Sequence, residues 1–275
     1  MTTESPQAVP ILYSTNPIPG APGRAATIAL NRPAELNAMS WELIGAFDDA
    51  VTRAAEDPDV RVVFVTGNGR AFSAGGDLKS YIDLQRDPVG FPQFVKDLHD
   101  AFGRLRRLRV PVIALVNGVT VAGGLELLLN CDMAIAAESA RIGDGHLNFG
   151  QMGGGGVLTL LARIVGLQRA AELVMTGKLL DARTAEQWGL VGTVVPDRDL
   201  VAEGMRVAQQ IATKSPLAVA NAKDVMNTIW LETLSVPAGL RLERERNAVY
   251  CLTSEDAPEG LAAFSEKRAP RFTGR

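Results

Sequence analysis

The 275-residue sequence is poor in the residues that announce metal or redox chemistry, with only two cysteines and two histidines. Cys131 and Cys251 are far apart and outside any CxxC pattern, which argues against a disulfide framework or a thiolate metal site and makes a reducing cytoplasm the expected location. His99 and His146 belong to no H-E-x-x-H or similar set, so no metal is expected, and His99 reads as an exposed helix residue. Neither sign of charge is in excess. With 28 basic and 31 acidic residues dispersed along the chain, there is no basic stripe for a nucleic-acid backbone and no polybasic membrane segment. No apolar run is long enough to span a bilayer, and Met1 to Pro10 lacks the basic-then-apolar order of an export signal. Nucleic acid and membrane are therefore not expected partners.

The sequence does contain a core, since 47% of its residues are apolar. Residues 1–24, with many prolines and glycines, read as a mobile tail leading into an edge strand at Val9 to Tyr13. Strand-like runs follow at Ala25 to Leu30, Val60 to Thr66, Val112 to Val116 and Met133 to Ala136. Between them, Ser40 is placed to cap a helix over Trp41 to Ala55, in which Leu43, Phe47, Ala50 and Ala54 recur at helical spacing. A second helix is expected over Phe94 to Leu108, with Pro111 separating it from the next strand. The alternation predicts an α/β fold. Beyond about residue 197 the strand signal stops, and Leu200 to Ile211, Leu217 to Leu231, Leu240 to Cys251 and Glu255 to Lys267 read as helices.

Two glycine-containing turns each follow a strand signal and open a helix, Ala71-Phe72-Ser73-Ala74-Gly75-Gly76-Asp77-Leu78-Lys79 and Val116-Asn117-Gly118-Val119-Thr120-Val121-Ala122-Gly123-Gly124-Leu125-Glu126. A turn that opens a helix presents unpaired backbone N–H groups, and two such amides aimed at one oxygen form an oxyanion hole. Ser73 is not read as a hydrolase nucleophile, because no G-x-S-x-G elbow surrounds it. Gly67-Asn68-Gly69 is a fragment of a dinucleotide fingerprint and no more. Glu126, three residues after Gly123, shares a helix face with that amide and is placed to serve as an acid or base.

The order and spacing of these turns resemble the paired signatures of the crotonase (enoyl-CoA hydratase/isomerase) superfamily. The likeness begins at Asn31-Arg32-Pro33-Ala34-Glu35-Leu36-Asn37-Ala38-Met39 and runs through both turns, Cys131-Asp132, Thr176-Gly177, Ala182-Arg183-Thr184-Ala185 and Gly189-Leu190-Val191. It closes at Phe264-Ser265-Glu266-Lys267-Arg268, similar to the family's F-x-E-K-R. The resemblance implies a spiral of ββα units over residues 1–200 and a helical oligomerisation region over 201–275, assembled as a homotrimer or a hexamer of paired trimers. It implies an acyl-CoA thioester as substrate, with CoA entering as part of it and no separate cofactor. By position it makes the amides of Gly76 and Gly123 the oxyanion donors and Glu126 one of two catalytic glutamates. It also assigns Leu36, Ala38, Ala74, Asp77, Leu78, Lys79, Phe264 and Lys267 to the substrate and CoA, with Lys79 and Lys267 at positions that meet CoA phosphates.

At the second catalytic position the sequence departs from the family. Where hydratases carry a glutamate in F-G-x-P-E-x-x-x-G, this chain reads Ile142-Gly143-Asp144-Gly145-His146-Leu147-Asn148-Phe149-Gly150. His146 takes the glutamate's place, and with an ordinary pKa near 6.5 it still exchanges protons at neutral pH. Asp144 is a further acid/base candidate. The downstream Gly153 to Gly156 run lacks the family's proline, and its freedom can reshape the acyl pocket. Hydration of a 2-enoyl-CoA by Glu126 and His146 is the expected reaction, and replacing His146 by Glu is expected to raise it. Double-bond isomerisation, CoA-ester hydrolysis or cleavage, and acyl-CoA binding without turnover are the alternatives.

Overall fold

The computed structural model describes residues 9–275; for residues 1–8 the expected tail lies outside the described residues. Strand β1 (Ile11–Pro17) forms the edge, antiparallel to β2 (Arg24–Leu30), and its alternating exposure shows one covered face. Helix α1 (Trp41–Glu56) starts where the sequence places its cap: Ser40 Oγ accepts from Leu43 N at 3.2 Å. Its buried stripe is Leu43, Ile44, Phe47, Ala50, Val51 and Ala54. Then come β3 (Val60–Gly67), β4 (Ala71–Ser73), α2 (Leu78–Leu84) and α3 (Gly90–Arg107). Strands β5 (Val112–Val116) and β6 (Val119–Val121) lead into α4 (Gly123–Leu129), followed by β7 (Met133–Ala137) and β8 (Arg141–Gly143).

The pairs β3/β4, β5/β6 and β7/β8 each send one strand to each of two sheets. The first sheet has the order β1-β2-β3-β5-β7, parallel after β1. In the second, β4, β6 and β8 run parallel. This repetition is the ββα spiral. Helices α5 (Val157–Val165) and α6 (Leu167–Thr176) follow, then β9 (Leu179–Asp181), which closes the second sheet antiparallel to β8. After α7 (Ala182–Gln187), β10 (Thr193–Val195) completes the first sheet beside β7.

Strand β5 explains its own uninterrupted apolar sequence. Val112, Ala114 and Val116 face one buried cluster, shared with Phe47, Phe72 and Phe102, while Ile113 and Leu115 face a second. A parallel strand covered on both sides has no polar face. The second cluster is roofed by α8 (Leu200–Ala212) through Leu200, Ala208 and Ala212. Burying one such aliphatic side chain contributes about 1.5–3 kcal/mol.

Helices α9 (Pro216–Leu231), α10 (Val236–Thr253) and α11 (Asp256–Ser265) complete the chain. Helix α9 is stapled to the spiral by buried Lys223, whose Nζ donates to Leu105 O at 2.8 Å and Val110 O at 2.9 Å and pairs with Asp132 at 2.6 Å. Gly239 is the only buried residue of α10. Among the described residues no helix is long and apolar enough to cross a membrane.

Candidate active site

Parallel pairing in the second sheet brings three distant segments together. Register matches Ser73 with Thr120, Thr120 with Ile142, and Val121 with Gly143, so β4, β6 and β8 end side by side. The loops leaving these ends carry Gly75-Gly76, Ala122-Gly123 and Asp144 to His146. Ala122 N donates to Gly143 O at 3.3 Å, tying the second loop to the third. Such clustering at the carboxyl ends of parallel strands is where α/β sheets place ligands.

The first two loops are in contact. A methyl built on Gly75 would lie 3.3 Å from Gly123 N and 2.8 Å from Ala122 Cβ, and Gly75 also has φ +98°, so both space and backbone demand glycine. Main-chain bonds from Met39 N to Gly75 O (2.7 Å) and from Asp77 N to Met39 O (3.1 Å) fix the first turn and leave Gly76 N out of the ladder. Ala122, with φ 52° and ψ −118°, holds a conformation that costs a non-glycine residue about 1–3 kcal/mol, immediately before Gly123 opens α4. Among the described residues neither Gly76 N nor Gly123 N donates to a protein acceptor, and both residues line one cavity of about 1160 Å³.

Glu126 projects from the first turn of α4 and is 2% exposed. Its Oε1 accepts from Gly155 N at 2.7 Å and Val157 N at 3.3 Å, so the glycine run wraps the carboxylate. Side chains there would collide with it: a methyl on Gly153 would lie 2.9 Å from Oε1, and one on Gly155 2.7 Å from Oε2. Burial pushes the Glu126 pKa above the ordinary carboxylate range, opposed by the charge of His146 and by the two amides.

His146 starts a single 3-10 turn, His146–Phe149, and lines the same cavity. The methyl position on Gly153 is 3.3 Å from His146 Cε1, so His146 and Glu126 face each other across that glycine. Asp144 lies behind the imidazole, with Oδ1 2.5 Å from Nδ1. Burial lowers the His146 pKa, but the Asp144 hydrogen bond and the charges of Glu126 and Asp144 outweigh it and leave it raised above 6.5.

Of the residues expected to meet substrate or CoA, Ala38, Ala74, Asp77, Leu78 and Lys79 line the cavity, whereas Leu36 contributes its carbonyl to Ala74 N at 2.9 Å. The Asp77 carboxylate is already engaged, by Arg32 at 2.9 Å and as the N-cap of α2. Lys267 and Phe264 are not brought to this cavity within the chain: both are exposed at the end of α11, Phe264 at 84%. Among the described residues no group of three or more His, Cys, Asp or Glu could hold a metal ion.

Tyr81 escaped the sequence reading, and Asn37 was quoted there within the first motif without a role of its own. Tyr81, one turn into α2, sets its ring against Gly76, where a methyl would be 2.7 Å from the hydroxyl, and lines the cavity. Its position four residues after the Asp77 cap was the available signal. Asn37 is fully buried, donates to Asn68 O (3.0 Å) and Ala71 O (2.8 Å), and accepts from Arg32 N (2.9 Å), which locks the first motif to β4. Its φ of 58° follows Leu36 at 52°.

Two strand-end turns with unengaged amides, a buried carboxylate and an imidazole around one cavity define a site for reactions that build negative charge on a carbonyl oxygen. The enoyl-CoA hydratase/isomerase family profile matches residues 21–275, and the chain belongs to that family. A protein from Mycobacterium bovis described as "Probable enoyl-CoA hydratase" is 38% identical over 252 residues, covering 92% of this chain and 95% of that one. The 2,3-dehydroadipyl-CoA hydratase of Escherichia coli is 34% identical over 256 residues, covering 92% and 96%. The crystal structure of an enoyl-CoA hydratase from Bacillus anthracis matches with a TM-score of 0.88 at 33% identity, covering 96% and 99%.

Proposed function

We propose that the protein hydrates a 2-enoyl-CoA reversibly at this cavity, the amides of Gly76 and Gly123 receiving the thioester oxygen. Water adds its oxygen to Cβ as Glu126 takes a proton from it, and the electron pair moves through Cα to the carbonyl oxygen. Two fixed donors at that oxygen stabilise the enolate-like transition state, each contributing about 3 kcal/mol. His146 then returns a proton to Cα, completing the addition. The observation that carries the reading is the meeting of the unengaged Gly76 and Gly123 amides with buried Glu126 in one cavity. The relatives named above, hydratases by description, support the same reaction class.

Loss of enoyl-thioester absorbance from crotonyl-CoA tests it. Turnover that depends on Glu126 is expected, and tight binding of CoA esters without absorbance change would overturn it. A Δ3-enoyl-CoA consumed faster than crotonyl-CoA would put isomerisation first, and cleavage of β-keto esters alone would indicate hydrolysis or lysis. The reading calls on no metal or redox group, so activity is expected to survive chelation. Exposed apolar side chains on α10 and α11, among them Leu252 and Leu261, support a trimer or hexamer through these helices, which sedimentation equilibrium tests. A cytoplasmic location fits the exposed, unpaired Cys251 and buried, unpaired Cys131.

A further inference from the structure

The geometry points to Asp144 as a positioning residue that acts through His146, so that the second acid of the site is an Asp–His couple and not a single side chain. This rests on the reading that His146 delivers the proton to Cα.

Four observations carry it. The Asp144 side chain is 1% exposed and cannot reach substrate through solvent, while His146 stands between it and the cavity. A carboxylate only accepts hydrogen bonds, so the 2.5 Å contact requires the proton on Nδ1 and leaves Nε2 as the nitrogen that meets the substrate. The second oxygen, Asp144 Oδ2, is buried without a partner among the described residues, so His146 is the one group that compensates this carboxylate. The segment is also rigidly placed. Gly143 is paired with Val121 and accepts from Ala122 N, and a methyl on Gly145 would lie 2.8 Å from Val121 Cγ1.

The surroundings leave His146 as the shared cation of the site. Glu126 faces it from α4, and the Tyr81 hydroxyl stands on the α2 side of the cavity, with its pKa raised by burial and by the Glu126 and Asp77 charges. Helix α3 presents Val95 and Leu98, and the run Gly153 to Gly155 presents only backbone. Of the cationic side chains lining the cavity, Arg32 is engaged by Asp77 and Lys79 sits at the exposed rim. Asp144 therefore holds the imidazolium in place against the burial that opposes it. During hydration the proton that Glu126 takes from water and the proton that His146 gives to Cα balance. Glu126 then gives up this proton and His146 regains one by exchange with water admitted to the cavity, which restores both groups.

With only two histidines in the chain, ¹⁵N-imidazole NMR resolves the question without turnover. His99→Gln assigns the spectrum. Wild-type His146 is expected to show a protonated Nδ1 with a downfield proton, and to titrate above the ordinary 6.5. In Asp144→Asn the midpoint is expected to fall to the ordinary 6.5 or below, because burial is then less strongly opposed. The basic limb of kcat is expected to move to lower pH, with kcat reduced about 10–100-fold and KM changed less than about threefold, a part of the whole general-acid contribution. A folded variant that keeps the His146 midpoint refutes the couple. A midpoint that falls while kcat and its profile stay fixed supports the couple and refutes His146 as the acid, separating the two readings. Should Asp144→Asn fail to fold, the wild-type spectrum alone decides: an unprotonated Nδ1, or a midpoint at or below the ordinary 6.5, overturns the inference.

Discussion

Replacing Glu126 by Gln separates the chemical role of this carboxylate from its structural one. The carbonyl oxygen of Gln can still accept from Gly155 N and Val157 N, at 2.7 and 3.3 Å in the native site, so the glycine run keeps its anchor. What disappears is the proton acceptor. General acid–base catalysis contributes about 10²–10⁴-fold, and at 1.36 kcal/mol per tenfold the barrier rises by about 3–5 kcal/mol. Stability moves the other way. Burial raises the folded-state pKa above the ordinary 4.5, so as pH rises the unfolded chain releases this proton first and native stability falls across the interval between the two values. The Gln variant escapes that loss, and its melting temperature at neutral pH is expected to equal or exceed that of the native protein. Crotonyl-CoA hydration and a thermal melt, run on the same samples, test both halves. Hydration within about tenfold of the native rate would refute the catalytic role. A folded variant melting well below the native protein would refute the claim that the buried charge costs stability.

Gly123→Ala is expected to retain most activity, because a methyl there meets Met39 Cγ at 3.5 Å, whereas Gly124→Ala would press a methyl to 2.3 Å from Ser73 O and should destabilise strongly in urea titrations. Asn37→Ala removes the acceptor of Arg32 N and the donor to Asn68 O, both part-buried, while Ala71 O keeps Asn117 Nδ2 at 3.2 Å; at up to about 1–3 kcal/mol for a group left unsatisfied, it should lower the urea midpoint together with activity. His146→Glu, which the sequence alone suggests would raise hydration, places a third acid beside Asp144 and Glu126 and removes the cation they share. Activity is expected to fall in the single variant and to recover in part when Asp144→Asn is added; equal rates for the two would refute the argument.

Much of this was legible in the sequence because local chemistry and global fold agree there. Ser40 caps α1, the β5 run is apolar because both its faces are covered, and each glycine turn opens a helix. The second sheet was invisible, since β4, β6, β8 and β9 are three residues each and carry too few side chains for a period-2 pattern. Helices α5 and α6 also went unread, although Gly166 between them, at φ +83°, marks their junction. The pairing of β4, β6 and β8 is nevertheless what makes the site, because it converts three separations along the chain into adjacency. Family resemblance supplied the positions without supplying that reason.

The departure at the second catalytic position shows the same limit more sharply. Read by itself, His146 is one residue exchanged for another, and Asp144 is a separate acid/base candidate. In the structure Asp144 stands behind the imidazole, buried and with one oxygen otherwise unpartnered among the described residues. The i,i+2 spacing of the pair carried no periodic signal, because Gly145 between them belongs to neither helix nor strand. A pair of carboxylates would crowd like charge into this pocket, whereas Glu126, His146 and Asp144 together place one cation between two anions. Histidine at 146 and aspartate at 144 thus act as one electrostatic unit, and altering either alone is expected to lower activity.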